Sequence, residues 1–60
     1  MNIGNNLKIV RKRKKMSQEE VATALGFTRS SYSGYENGVA QPSIENLVTL
    51  SDFYSITIDD

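Results

Sequence analysis

Apolar residues along this chain recur at three- and four-residue spacing, the period of helices packed on one face. Ile3, Leu7 and Val10 form the first such stripe and predict a helix over residues 3–15. Its end carries Arg11 to Lys15, where cations suit the carbonyl end of the helix dipole. Ser17-Gln18-Glu19-Glu20 is a capping-box pattern that opens a helix over 18–25, with Val21, Ala22 and Leu25 inward and Gly26 as its stop. Phe27 is a core candidate. Thr28 caps a helix over 29–37 that turns Tyr32 and Tyr35 inward and ends at Gly38. Val39 to Gln41 form a loop before Pro42. Ser43 then caps a helix over 44–54, with Ile44, Leu47, Leu50 and Tyr54 as the expected inner stripe. Ile56 reads as a core plug, and Thr57 with Asp59 and Asp60 as the start of a fifth helix at 57–60. That helix is begun and not completed, so a longer parent protein is expected. No strand period occurs, so residues 1–60 are expected to form one all-α domain of four to five helices.

The most specific feature lies between Ser17 and Gly38. Two short helices flank the tight turn Gly26-Phe27-Thr28, and the small Ala22 lets the second cross closely over the first. This is the plan of a helix-turn-helix, in which the second helix enters the DNA major groove and the first crosses the backbone.

Gln18, Glu19, Val21-Ala22, Leu25-Gly26, Ser30, Ser33, Glu36, Gly38 and Pro42-Ser43 resemble the phage-repressor-like (Cro/Xre-type) helix-turn-helix family. Leu7, Val10 and Arg11 extend the resemblance before the motif and Leu47 to Ile58 after it, without a gap. The resemblance implies a compact lambda-repressor-like domain whose third helix reads DNA. It puts a phosphate clamp at Gln18, a role helix N-terminal amides and a side-chain amide can fill. It puts recognition positions at Thr28, Arg29, Ser30, Ser33 and Gly34. Arg29 is the sharpest candidate: a guanidinium can grip guanine O6 and N7, worth ~1–3 kcal/mol of discrimination, or contact a phosphate. Ser30 and Ser33 can bond a base edge or a phosphate, or simply be small enough to admit the helix. Thr28 is more a cap than a reader, and Asn37, Gly38 and the helix start near Ser43 offer further polar groups to phosphate. Arg11 and Glu36 fall where the family has a structural ion pair. The chain departs from the family at Gly34, where a long polar side chain is common, and in the loop 39–41, which carries no base. Both departures predict modest affinity for a lone domain.

Composition narrows the field. Sixty residues can bury only roughly 60% of the unfolded surface, so stability is thin. There is no cysteine and no histidine, which removes disulfides, thiolate metal sites and the commonest general base. Glu19-Glu20 and Asp59-Asp60 are adjacent carboxylates with no third ligand in reach and read as first-turn charges. No nucleophile–base or metal-ligand set supports an enzyme, and no cofactor is implied. No apolar run approaches the ~20 residues of a membrane span, and the N-terminus lacks a signal-peptide layout, so a soluble, cytoplasmic protein is expected. The three tyrosines sit at core spacing and are not expected to stack on bases.

The net charge is zero, but all seven bases lie in residues 1–30 beside two acids, a net +5, and residues 31–60 hold five acids and no base, a net −5. The run Lys12 to Lys15 reads as a solvated helix end that also adds long-range attraction to DNA. The expected function is sequence-specific binding of double-stranded DNA by a transcriptional regulator of the repressor type. A homodimer would read a pseudo-palindromic operator, its recognition helices one DNA turn (~34 Å) apart. A protein-interaction module such as an antitoxin or a phage adaptor is the alternative, favoured by the zero net charge, Gly34 and the base-free loop.

Overall fold

The computed structural model describes residues 3–55. The expected fifth-helix start at 57–60, and Ile56 before it, lie outside the described residues. Four helices follow one another: α1 (Ile3–Arg13), α2 (Gln18–Leu25), α3 (Arg29–Asn37) and α4 (Ile44–Tyr54). No strand occurs among the described residues.

Three of the four helices begin on a side-chain cap. Ser17, Thr28 and Ser43 are extended, and each hydroxyl accepts from the amide three residues on. At α2 the capping box is complete: Glu20 accepts from the Ser17 amide at 2.7 Å. Gly26 and Gly38 end α2 and α3 in the left-handed conformation, both at φ 76°, which glycine adopts without steric cost. The end of α1 differs from the expected boundary at residue 15. Lys15 itself turns left-handed at φ 58°. Its amide returns to the Lys12 carbonyl at 3.0 Å, and the Met16 amide returns to that of Arg11 at 3.3 Å. This paired closure of a helix end stops α1 at Arg13. The basic run hides the stop, because lysine in a left-handed position gives no glycine-like signal.

The core is built from Leu7, Val21, Ala22, Tyr32, Tyr35, Leu50 and Tyr54, with Ile3, Val10, Met16, Leu25, Phe27 and Phe53 packed around it. α3 is central and lies against both α1 and α2. Its nine residues, rich in serine with an internal glycine, would not hold a helix alone; burial holds it. Tyr32 is fully buried, and its hydroxyl meets that of Tyr54 at 2.6 Å. Tyr35 stands edge-on to Phe27, with 6.0 Å between ring centroids, and its hydroxyl accepts from Asn46 at 3.1 Å.

Two packing features depart from the sequence reading. Ile44, expected in the inner stripe of α4, is 81% exposed. Steps of three residues drift around a helix, so at 100° per residue Ile44 lies about 120° from Leu50. Ile44 therefore shares an outer face with Val48, which is also exposed. Gly4, to which the sequence reading assigned nothing, is buried against the last turn of α3. A β-carbon there would sit 2.5 Å from the Glu36 carbonyl oxygen and 2.7 Å from that of Tyr35. This close approach, on the face that Gly4 shares with Leu7 and Arg11, carries Arg11 to Glu36.

Candidate nucleic-acid interface

The outer face of α3 follows from its inner one. With Tyr32 and Tyr35 buried, residues at other angles on the same short helix point away from the core. Arg29 and Ser30 are exposed and Ser33 is half-buried. The three line one shared open depression. Arg29 has no carboxylate within ion-pair distance among the described residues, which leaves its donors available to an anion or a base edge.

The remaining expected positions sort differently. The Thr28 hydroxyl accepts from the Ser31 amide at 3.1 Å and donates to the Ser31 hydroxyl at 2.9 Å. It is committed as a cap. Asn37 is exposed at the other end of α3 and donates to Ser33 at 3.2 Å, which ties two of the expected contact residues together. Gly34 faces the following loop: a β-carbon there would meet the Ala40 side chain at 3.6 Å. Its carbonyl accepts from the amides of Gly38, Val39 and Ala40. Gly34 thus closes the end of α3, and a longer side chain would lean on the loop.

Gln18 is the first residue of α2 and is half-buried. Its amide nitrogen donates to Glu36 Oε1 at 3.0 Å, a contact the sequence reading missed. The available signal was chemical: a buried carboxylate accepts several hydrogen bonds, and one arginine does not supply them all. Arg11 supplies two, Nε to Oε2 at 2.7 Å and Nη2 to Oε1 at 3.2 Å, and its Nη1 donates to the Met16 carbonyl at 2.9 Å. Burial disfavours the ionised Glu36, but hydrogen bonds from Arg11, Gln18 and Tyr32 outweigh it and hold this carboxyl below its ordinary value. The same hydrogen bond to Glu36 raises Arg11 further, against its own desolvation. Burial, reinforced by the hydroxyl contact with Tyr54, pushes Tyr32 far above the usual phenol range. Burial likewise raises Tyr54. No buried side-chain nitrogen or oxygen lacks a partner among the described residues.

Residues 12–15, at and just beyond the end of α1, are all basic and exposed, and Lys14 reaches over the Phe53 ring of α4 at 5.5 Å. Among the described residues no group of three or more acidic side chains could hold a metal ion. No helix of the described residues is long and apolar enough to cross a membrane.

Comparison with known proteins bears on the same stretch. Residues 7–60 match the model of a helix-turn-helix family. The chain is 39% identical over 54 residues to the HTH-type transcriptional regulator YqaE of Bacillus subtilis, covering 90% of this chain and 47% of that protein. It is 37% identical over 60 residues to RstR, a transcriptional repressor of the cryptic phage CTXphi in Vibrio cholerae, covering all of this chain and 54% of that protein. It is 34% identical over 58 residues to the antitoxin PezA of Streptococcus pneumoniae, covering 97% of this chain and 37% of that protein. The chain thus spans about half the length of the first two and less of the third.

Proposed function

Because the chain belongs to the helix-turn-helix family of Cro/Xre-type domains, we propose that it binds double-stranded DNA sequence-specifically as a transcriptional regulator, with α3 in the major groove. The observation that carries this reading is the uncovered depression of Arg29, Ser30 and Ser33 on the face of α3 opposite its buried tyrosines. Arg29 contacts a guanine edge or a neighbouring phosphate. Ser30 and Ser33 lie against base edges and admit the helix. Gln18 contacts a phosphate beside the start of α2, and Asn37 does so beyond the end of α3. Thr28 acts as the cap that aims Arg29, and Gly34 lets the following loop lie close to the helix. The exposed lysines of α1 add attraction without sequence preference.

In this reading the protein works as a repressor in the cytoplasm. Two copies bind a pseudo-palindromic operator, their α3 helices about 34 Å apart. Similarity to a phage repressor supports the sign of regulation.

The test is binding of the chain to duplexes selected from a random pool, titrated with salt. Affinity for selected sites falls steeply with salt, as expected when phosphate contacts release counterions. Arg29→Ala weakens the best sites by about tenfold to a hundredfold and flattens the preference among sites. Binding indifferent to both salt and Arg29 refutes the proposal. A module serving a protein partner has one structural observation in its favour, the exposed loop 39–41 without a base, and similarity to an antitoxin accompanies it. Absence of duplex binding at low salt, together with a stable protein complex, would select that reading.

A further inference from the structure

Glu36 faces more than its ion-pair partner. Oε2 accepts from Arg11, while Oε1 accepts from both Arg11 and Gln18. We propose that Glu36, with Arg11, is a positioning residue for DNA contact: it holds the Gln18 amide in the one orientation in which that amide's second N–H can meet a backbone phosphate at the start of α2. The inference rests on the duplex-binding reading above and assigns the buried pair a part in it.

Three features carry the argument. First, an ionised carboxylate only accepts hydrogen bonds, so the Gln18 nitrogen, not its oxygen, must face Glu36. This removes the two-fold ambiguity of a side-chain amide and leaves one N–H unspent. Second, Gln18 opens α2; the capping box occupies the Ser17 and Glu20 amides, and the backbone amides at Gln18 and Glu19 are the ones that can favour an anion there. A glutamine free in solution loses rotamer freedom when it grips a phosphate; one already tethered to Glu36 lost that freedom on folding. Third, a lone carboxylate beside a phosphate would repel it. Arg11 grips Glu36 at 2.7 Å, with their side chains only 12% and 1% exposed, so the phosphate meets a neutral pair. Arg11 and Glu36 are thus needed together. The pair also spans α1 and α3 and reaches the residue that opens α2, so the clamp and the reading helix keep a fixed separation.

The experiment replaces Arg11 and Glu36 together by methionine. This removes both charges with apolar groups of similar size, a change that buried pairs often tolerate, and leaves the net charge unaltered. Binding to a duplex selected by the wild-type chain is measured with and without Gln18→Ala in each background. The expected result is roughly tenfold weaker binding by the folded methionine variant, from an amide no longer held, with little further loss on adding Gln18→Ala. In the wild type, Gln18→Ala alone gives a loss of at least the same size. An independent readout is the Gln18 side-chain amide pair in an NMR spectrum. It stands apart from that of the exposed Gln41 in the wild type and moves toward it in the variant. Should the methionine variant fail to fold, Glu36→Gln below its melting temperature serves for the same comparison, since a neutral amide no longer dictates which way Gln18 faces. Wild-type affinity in the charge-free variant overturns the proposal, as does an equal Gln18→Ala loss in both backgrounds. If the wild type binds no duplex while its Gln18 amide stands apart, the duplex reading itself fails, and this role with it.

Discussion

Replacing Gly4 by alanine sets two effects of opposite sign against each other. Helix propensity favours alanine by about 0.5–1 kcal/mol in a helix interior, and less in a first turn. Packing opposes it: the new β-carbon would lie 2.5 Å from the Glu36 carbonyl oxygen and 2.7 Å from that of Tyr35. Both are backbone atoms at the end of a helix and cannot rotate aside. Relief requires α1 and α3 to separate by more than half an ångström, which loosens Ile3 and Leu7 and stretches the Arg11–Glu36 contact. Overpacking of this kind costs about 1–3 kcal/mol, so the net expected loss is about 1–2 kcal/mol. At about 4–8 °C per kcal/mol for a domain of this size, the melting temperature should fall by roughly 5–15 °C. Gly34→Ala is the control. Its β-carbon would meet Ala40 at an ordinary 3.6 Å, so propensity acts unopposed and should stabilise by about 0.5–1 kcal/mol. Thermal melts followed by circular dichroism measure both. A Gly4→Ala protein that melts at or above the wild-type temperature would refute the close-packing argument.

Glu36→Gln weakens a buried, charged hydrogen-bond network around Arg11 and should cost about 3 kcal/mol; a denaturant titration at pH 7 reads it directly. The same carboxyl sets an acid limit. Its folded-state pKa lies below the ordinary value of about 4.5, so its contribution is fully present above that value and is lost as pH falls through it toward the folded-state value. Melting temperature should therefore drop below about pH 4.5 in the wild type and less steeply in Glu36→Gln. Lys15→Gly relieves a left-handed lysine at φ 58° and should raise stability by about 0.5–1 kcal/mol; an unchanged or lower denaturation midpoint would show that the Lys15 side chain contributes more than its backbone strain costs.

Every helix of the described residues was legible in the sequence, and three starts and two ends were placed by local chemistry. Ser17, Thr28 and Ser43 act on amides three residues away, and Gly26 and Gly38 act through their own φ, so no tertiary knowledge was needed. The outward position of Arg29 and Ser30 followed from Tyr32 and Tyr35 by helical period alone. The pairing of Arg11 with Glu36, which family resemblance implied, was found in the fold. Period was a weaker guide at Ile44, because a stripe of three-residue steps drifts off the core, and at Lys15, because a left-handed lysine looks like any other.

What tertiary structure alone decided lies at the helix crossings. That Gly4 must be glycine depends on how near α1 comes to the carbonyls closing α3. That Tyr32 of α3 meets Tyr54 of α4, and that Gln18 of α2 shares the Glu36 carboxylate of α3 with Arg11 of α1, depends on which side chains different helices bring together. Sequence spacing measures angles around one helix axis and distances along it. It carries no measure of the gap between two axes, and the gap between α2 and α3 is what turns a surface-looking glutamine into part of a buried network.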